Sequence, residues 1–191
     1  YQSGTEVQYP TSSHVTSPDP IRIGETISSS FTNFEGDIDQ VRFFTSALTS
    51  TQVSTLYAET ACVYTATANT ADFPSTATAV AHYPLDNSSE DNHGNTYDGT
   101  ESGDVEYRFG KYGQAAVLSG TSSYIDTGIG GSVLGELFSV SCWFKSSATG
   151  TYQTIFDNGG NTSGESGFTL VIHTDNTLQA RFSNGDNIGL S

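Results

Sequence analysis

Apolar residues in this chain recur mostly at every second position, in short runs bounded by Gly, Pro, Asn or Asp. That period marks strands with one buried face. The runs predicted as strands are Val7–Tyr9, Ile21–Ile23, Ile27–Phe31 and Gly36–Phe44, then Ala79–Leu85, Thr96–Thr100, Ala115–Leu118 and Tyr124–Asp126. Phe138–Lys145, Thr151–Asp157, Gly167–His173, Thr177–Ser183 and Asn187–Leu190 complete the set. In Gly36–Phe44, Ile38 falls out of parity with Val41 and Phe43, which predicts a bulge near Asp39. In Phe138–Lys145, Phe138, Val140, Cys142 and Phe144 share the core face, and Ser141, Trp143 and Lys145 share the other.

One segment reads differently. Ala47–Tyr57 predicts a short helix, with Thr49 and Gln52 as a capping box. Leu48 and Val53 are placed as a hydrophobic staple, and Val53, Leu56 and Tyr57 give an apolar face. A helix this short needs a sheet to lie against. The Ala- and Thr-rich stretch 61–79 reads as an extended linker. Many strands with turn signals between them and one helix predict an all-β, antiparallel two-sheet β-sandwich.

Composition narrows the function. Six basic residues stand against 21 acidic ones, a formal net charge of −15. Such a surface repels phosphate backbones and anionic membranes, so neither nucleic-acid binding nor membrane insertion is expected. No apolar run has the length of a membrane span. The two cysteines, Cys62 and Cys142, lack metal-ligand spacing, and Cys142 reads as a small core residue. The chain begins at Tyr1 with no visible signal peptide, and a piece of a longer polypeptide is expected.

Two stretches resemble laminin-G-like domains of the concanavalin A superfamily. Phe34-Glu35-Gly36-Asp37-Ile38-Asp39-Gln40-Val41-Arg42-Phe43-Phe44, followed by Ala47-Leu48-Thr49, Val53 and Leu56-Tyr57, resembles the strand-and-helix signature that closes such a domain. His82-Tyr83-Pro84-Leu85-Asp86, Asp91-Asn92-His93-Gly94-Asn95, Asp98-Gly99-Thr100, Gly110-Lys111-Tyr112-Gly113-Gln114-Ala115 and Gly120 to Tyr124-Ile125 resemble its opening. The ending thus precedes the beginning. Residues 1–60 are expected to be the C-terminal part of a first domain, 61–79 a linker, and 80–191 the N-terminal part of a second. Three explanations fit that cut: a longer polypeptide, which is preferred; pairing with neighbouring copies; or one permuted sandwich completed within the chain.

The resemblance implies a jelly-roll sandwich of the concanavalin A type. It also implies a non-catalytic carbohydrate-binding or adhesion role, in an extracellular or virion fibre or decoration protein. The alternative is a purely structural repeat that assembles through protein contacts. Expected partners are glycans or cell-surface polysaccharide and neighbouring repeats or copies. Calcium is the expected ion, with Asp86, Asp91 and Asp98 as candidate ligands. Trp143, Tyr152, Asp157, Asn158 and Asn161 are the candidate ligand-binding residues.

For each, a plain alternative stands beside the functional one. Asp and Asn build tight turns, and Trp143 packs under a neighbour. Glu35, Asp37 and Asp39 have the alternate spacing of glycosidase carboxylates. They lie in the closing signature, where Asp39 is expected to bond turn amides or Arg42, and no catalysis is expected there. His14, His82, His93 and His173 are scattered and read as surface or turn residues. Asn87-Ser88-Ser89 and Asn161-Thr162-Ser163 match the glycosylation acceptor pattern.

Overall fold

The computed structural model describes residue 17 and residues 19–27, 31–58, 79–94, 96–135, 137–159 and 167–182, with the backbone of 187–190. Its strands are β1 (Pro20–Ile23), β2 (Glu35–Phe44), β3 (Ala79–Tyr83), β4 (Thr100–Ser102), β5 (Glu106–Phe109), β6 (Gln114–Ser119), β7 (Tyr124–Gly130), β8 (Ser139–Ser146), β9 (Gln153–Asp157), β10 (Phe168–Ile172), β11 (Leu178–Phe182) and β12 (Asn187–Leu190). Two helices accompany them, α1 (Ser50–Tyr57) and α2 (Gly131–Leu134). The strands form an antiparallel β-sandwich. One sheet has seven strands in the order β12-β11-β10-β9-β1-β7-β4, and the other has five, β3-β2-β6-β5 with β8 on β2.

The two chain segments expected to belong to separate domains are interleaved here. β1 lies between β7 and β9, and β2 pairs with β3, β6 and β8. Strands from both sides of 61–79 thus share the same two sheets. The sequence pattern assigns strands but not their partners. Residues 59–78 lie outside the described residues, as do Val7–Tyr9, Cys62, His14 and Asn161.

Alternation places the core. Ile21, Ile23, Ile38, Val41, Phe43, Tyr83, Ile125 and Phe156 are fully buried between the sheets. The rings of Phe43 and Phe156 meet edge-on at 5.7 Å, joining one sheet to the other. The bulge falls where parity breaks. Gln40 takes φ +53°, and the pairing of β2 with β8 slips between Asp39 and Arg42. The extra residue returns Val41 and Phe43 to the core side and turns Asp39 and Arg42 outward.

β2 organises the smaller sheet. β8 runs along one side of it from Gly36 to Phe44. The other side is shared, with β6 against 35–38 and β3 against 41–44. α1 has the expected capping box: Thr49 accepts from the Gln52 amide, and the Gln52 side chain accepts from the Thr49 amide at 2.8 Å. Leu56, Phe44, Leu48 and Ala79 form a small second core beneath it.

Three expectations differ from the structure. β5 is an additional strand whose Phe109 is 94% exposed, an edge without the buried face that periodicity detects. Ile27 lies outside the strands, because its amide donates to Asp157 at 2.8 Å. Of 96–100, Thr100 alone enters β4, while Asp98 accepts from the Asp91 amide at 3.0 Å.

Candidate binding site

β8 presents Trp143 on the outer side of the smaller sheet, opposite Val140 and Cys142, which pack on the core. Asp39 of β2 is its cross-strand partner. Around the indole the fold gathers residues distant in sequence. Tyr57, from the last turn of α1, stacks on it at 5.6 Å and 29°. Tyr112 meets it edge-on at 6.2 Å, and the Lys111 ammonium lies 4.7 Å from the indole centroid. Tyr57 is 50% exposed. The result is an aromatic surface with a cation beside it.

Asp39 sits behind this surface, 2% exposed. Its Oδ2 accepts from the Tyr112 amide at 2.9 Å, which holds the 110–113 turn against Trp143. Its Oδ1 is buried without a hydrogen-bond partner. Burial pushes the Asp39 carboxyl up to about 6, against the pull of the Tyr112 and Lys111 amides, and the Asp86 charge raises it further. Burial also pushes the Cys142 thiol up to about 12, and Cys142 is a free cysteine. Of the other alternate carboxylates, Asp37 pairs with Arg108 at 2.5 Å, and Glu35 accepts from the Ser147 hydroxyl at 3.3 Å.

His82 is not the surface residue that the sequence suggests. It is buried on β3, with Nε2 3.0 Å from Gln40 Oε1. Burial, with the charges of Arg42 and His93, lowers its pKa to about 3. In Ala79-Val80-Ala81-His82-Tyr83, alternation sets His82 opposite the core side, and it gives no sign that the 84–94 loop closes on this strand through Asp91 and Asn92.

Of the other candidate residues, the described ones, Tyr152, Asp157 and Asn158, lie in or beside β9 of the seven-stranded sheet and are not brought to Trp143. Tyr152 precedes β9 and packs its ring on Phe31 at 4.8 Å and His173 at 4.8 Å, with the Arg181 guanidinium 5.2 Å from its centroid. Its hydroxyl lies 2.9 Å from His173 Nε2. Asp157 is fully buried. Its Oδ1 accepts from the Gly159 amide at 2.9 Å and the Thr169 hydroxyl at 2.8 Å, and its Oδ2 from the Thr26 hydroxyl at 3.0 Å and the Ile27 amide at 2.8 Å. Asn158, also buried, accepts from the Phe168 amide at 2.6 Å. These two residues tie β9 to its neighbours and face no solvent.

The three acidic residues considered for calcium each organise a turn. Asp86 accepts from the Gln114 amide at 2.5 Å. Asp91 Oδ1 accepts from the His82 amide at 3.0 Å and the His93 amide at 2.9 Å, while Asp98 receives the Asp91 amide. Asp91 Oδ2 is buried without a partner. Among the described residues, no group of three or more His, Cys, Asp or Glu is placed to hold a metal ion.

Fold and site together define a two-sheet antiparallel β-sandwich carrying an aromatic and cationic cluster on its smaller sheet. No family model, no curated protein and no solved structure matches this chain.

Proposed function

We propose that this chain is a non-catalytic carbohydrate-binding and adhesion module of an extracellular or virion fibre or decoration protein, and that it recognises sugars at the Trp143 face. One observation carries the reading: Tyr57, half exposed, is stacked on Trp143 next to the Lys111 ammonium. A sugar ring lays its C–H face on such an aromatic plate and gives its hydroxyls to nearby polar groups. The laminin-G-like signatures support the same reading.

Glycan-array screening of the intact chain, with and without added calcium, tests it. Binding to a defined glycan, weakened about tenfold or more by Tyr57→Ala, is the expected result. Absence of binding to every glycan in both conditions overturns it. A second reading, a structural repeat that assembles through protein contacts, draws support from the way Tyr57, Tyr112 and Lys111 already enclose the indole.

A further inference from the structure

The edges of the smaller sheet are not equally protected. On β3, the outward groups of His82 are closed by the chain itself: its amide donates to Asp91 and its carbonyl accepts from the Asn92 amide at 2.8 Å. β5 is four residues long and carries Glu106 and Arg108. β8 differs. It is eight residues long, and among the described residues it pairs with β2 alone. A long, uncovered edge is a template for another strand.

The phase of the β8 edge follows from one bond. Ser147 donates its amide to the Glu35 carbonyl at 2.9 Å, in line with the register Gly36↔Ser146 and Asp37↔Lys145. Antiparallel ladders alternate. The amides and carbonyls of Lys145, Trp143, Ser141 and Ser139 therefore face β2. Those of Val140, Cys142, Phe144 and Ser146 face outward.

We infer that this edge pairs with the same edge of a second copy of the chain, antiparallel, about a dyad at Trp143. In that register Cys142 meets Phe144 and Val140 meets Ser146, so all four outward residues exchange bonds, about eight in total. On the outer face Trp143 meets Trp143 of the second copy. Lys145 meets Ser141, so no like charges oppose one another. Charge favours this occupant. In a chain of net charge −15, β8 has one charged residue, Lys145, and no acid. The edge strands β4 and β5 carry Glu101 and Glu106. Copies thus meet with less repulsion along β8 than along β4 or β5, and the two smaller sheets become one continuous sheet.

Sedimentation velocity of the intact chain over a concentration series tests this, with hydrogen exchange on the same samples. The expected result is a reversible dimer that tightens as salt screens the net charge, with concentration-dependent protection of the Val140, Cys142, Phe144 and Ser146 amides. Phe144→Pro removes an outward amide and leaves the β2 ladder intact, so it abolishes the dimer. Phe144→Ala removes the same packing against Phe34 but keeps the amide, and it retains the dimer. A chain that stays monomeric at all concentrations, or a dimer whose protection lies outside β8, overturns the inference. If Phe144→Pro does not fold, the exchange pattern of the unaltered chain decides.

Discussion

His82 Nε2 lies 3.0 Å from Gln40 Oε1, an oxygen that also accepts from Arg42 Nη2 at 3.2 Å. An amide oxygen cannot donate, so His82 carries a proton on Nε2, and burial keeps the ring neutral. The bulge that gives Gln40 its φ of +53° is what aims this side chain at β3.

A pH dependence follows from that pair. The folded pKa of His82 is lowered from 6.5 to about 3. The unfolded chain therefore binds the extra proton first. The contribution of neutral His82 is complete above pH 6.5 and is lost as pH falls toward 3. His82→Gln keeps a donor for Gln40 and cannot titrate. Between pH 6.5 and 4.5 the unaltered chain should lose about 2 kcal/mol relative to His82→Gln. Urea midpoints of both at the two pH values measure it. Equal losses in both chains would place the proton uptake elsewhere.

Asp39 has the opposite sign. Its folded pKa is raised from 3.8 to about 6, so the folded chain holds the proton longer. Its contribution is complete below 3.8 and is lost as pH rises through 6. Relative to Asp39→Asn, the unaltered chain should lose about 3 kcal/mol between pH 3.8 and 7. The two groups oppose each other between 3.8 and 6, which flattens the profile of the unaltered chain while each variant tilts its own way. Unfolding curves of Asp39→Asn at pH 4 and 7 give the comparison, and an unchanged difference would show that Asp39 titrates normally.

Asp157 is a structural carboxylate. Four donors converge on it, from Thr26, Ile27, Gly159 and Thr169. Asp157→Ala takes this acceptor from all four, including the buried Thr169 hydroxyl and Gly159 amide, at about 3 kcal/mol. Glycan binding at the Trp143 face should survive wherever the variant still folds. Chemical denaturation together with the array separates the two effects. A full-stability Asp157→Ala that has lost its ligand would return this residue to the binding site.

The parts of this architecture legible in the chain are those set by local pattern. Parity placed Trp143 outward and Cys142 inward, the break at Asp39 located the bulge, and Thr49 with Gln52 located the start of α1. What a strand pairs with is not local. The placement of β1 between β7 and β9 depends on residues more than a hundred positions apart, and so does the closure of both segments into one sandwich. The site divides the same way. Trp143 was visible from its strand, but Tyr57, Tyr112 and Lys111 reach it from a helix end and a turn whose own sequences show no shared face. Asp157 shows the same limit, because a turn Asp looks the same in sequence whether its oxygens face water or four buried donors.

Gly36 marks where the β2–β8 pairing admits no side chain. Its φ is +145°, and a Cβ there would lie 2.2 Å from the Lys145 carbonyl oxygen and 2.9 Å from Ser146 Cα. Both obstacles are backbone of the strand that carries Trp143, so neither can swing aside. Gly36→Ala must either part β2 from β8 or rotate the Gly36 peptide, and that conformation alone costs ~1–3 kcal/mol for a residue with a side chain. Gly128 has φ +67° and open space around its Cβ position, so Gly128→Ala bears the backbone cost without the clash. Thermal unfolding should therefore place Gly36→Ala well below Gly128→Ala. The tryptophan emission of Gly36→Ala should shift as β8 moves away from Tyr57. Equal melting temperatures for the two variants would show that β8 is not seated on β2 at this closeness.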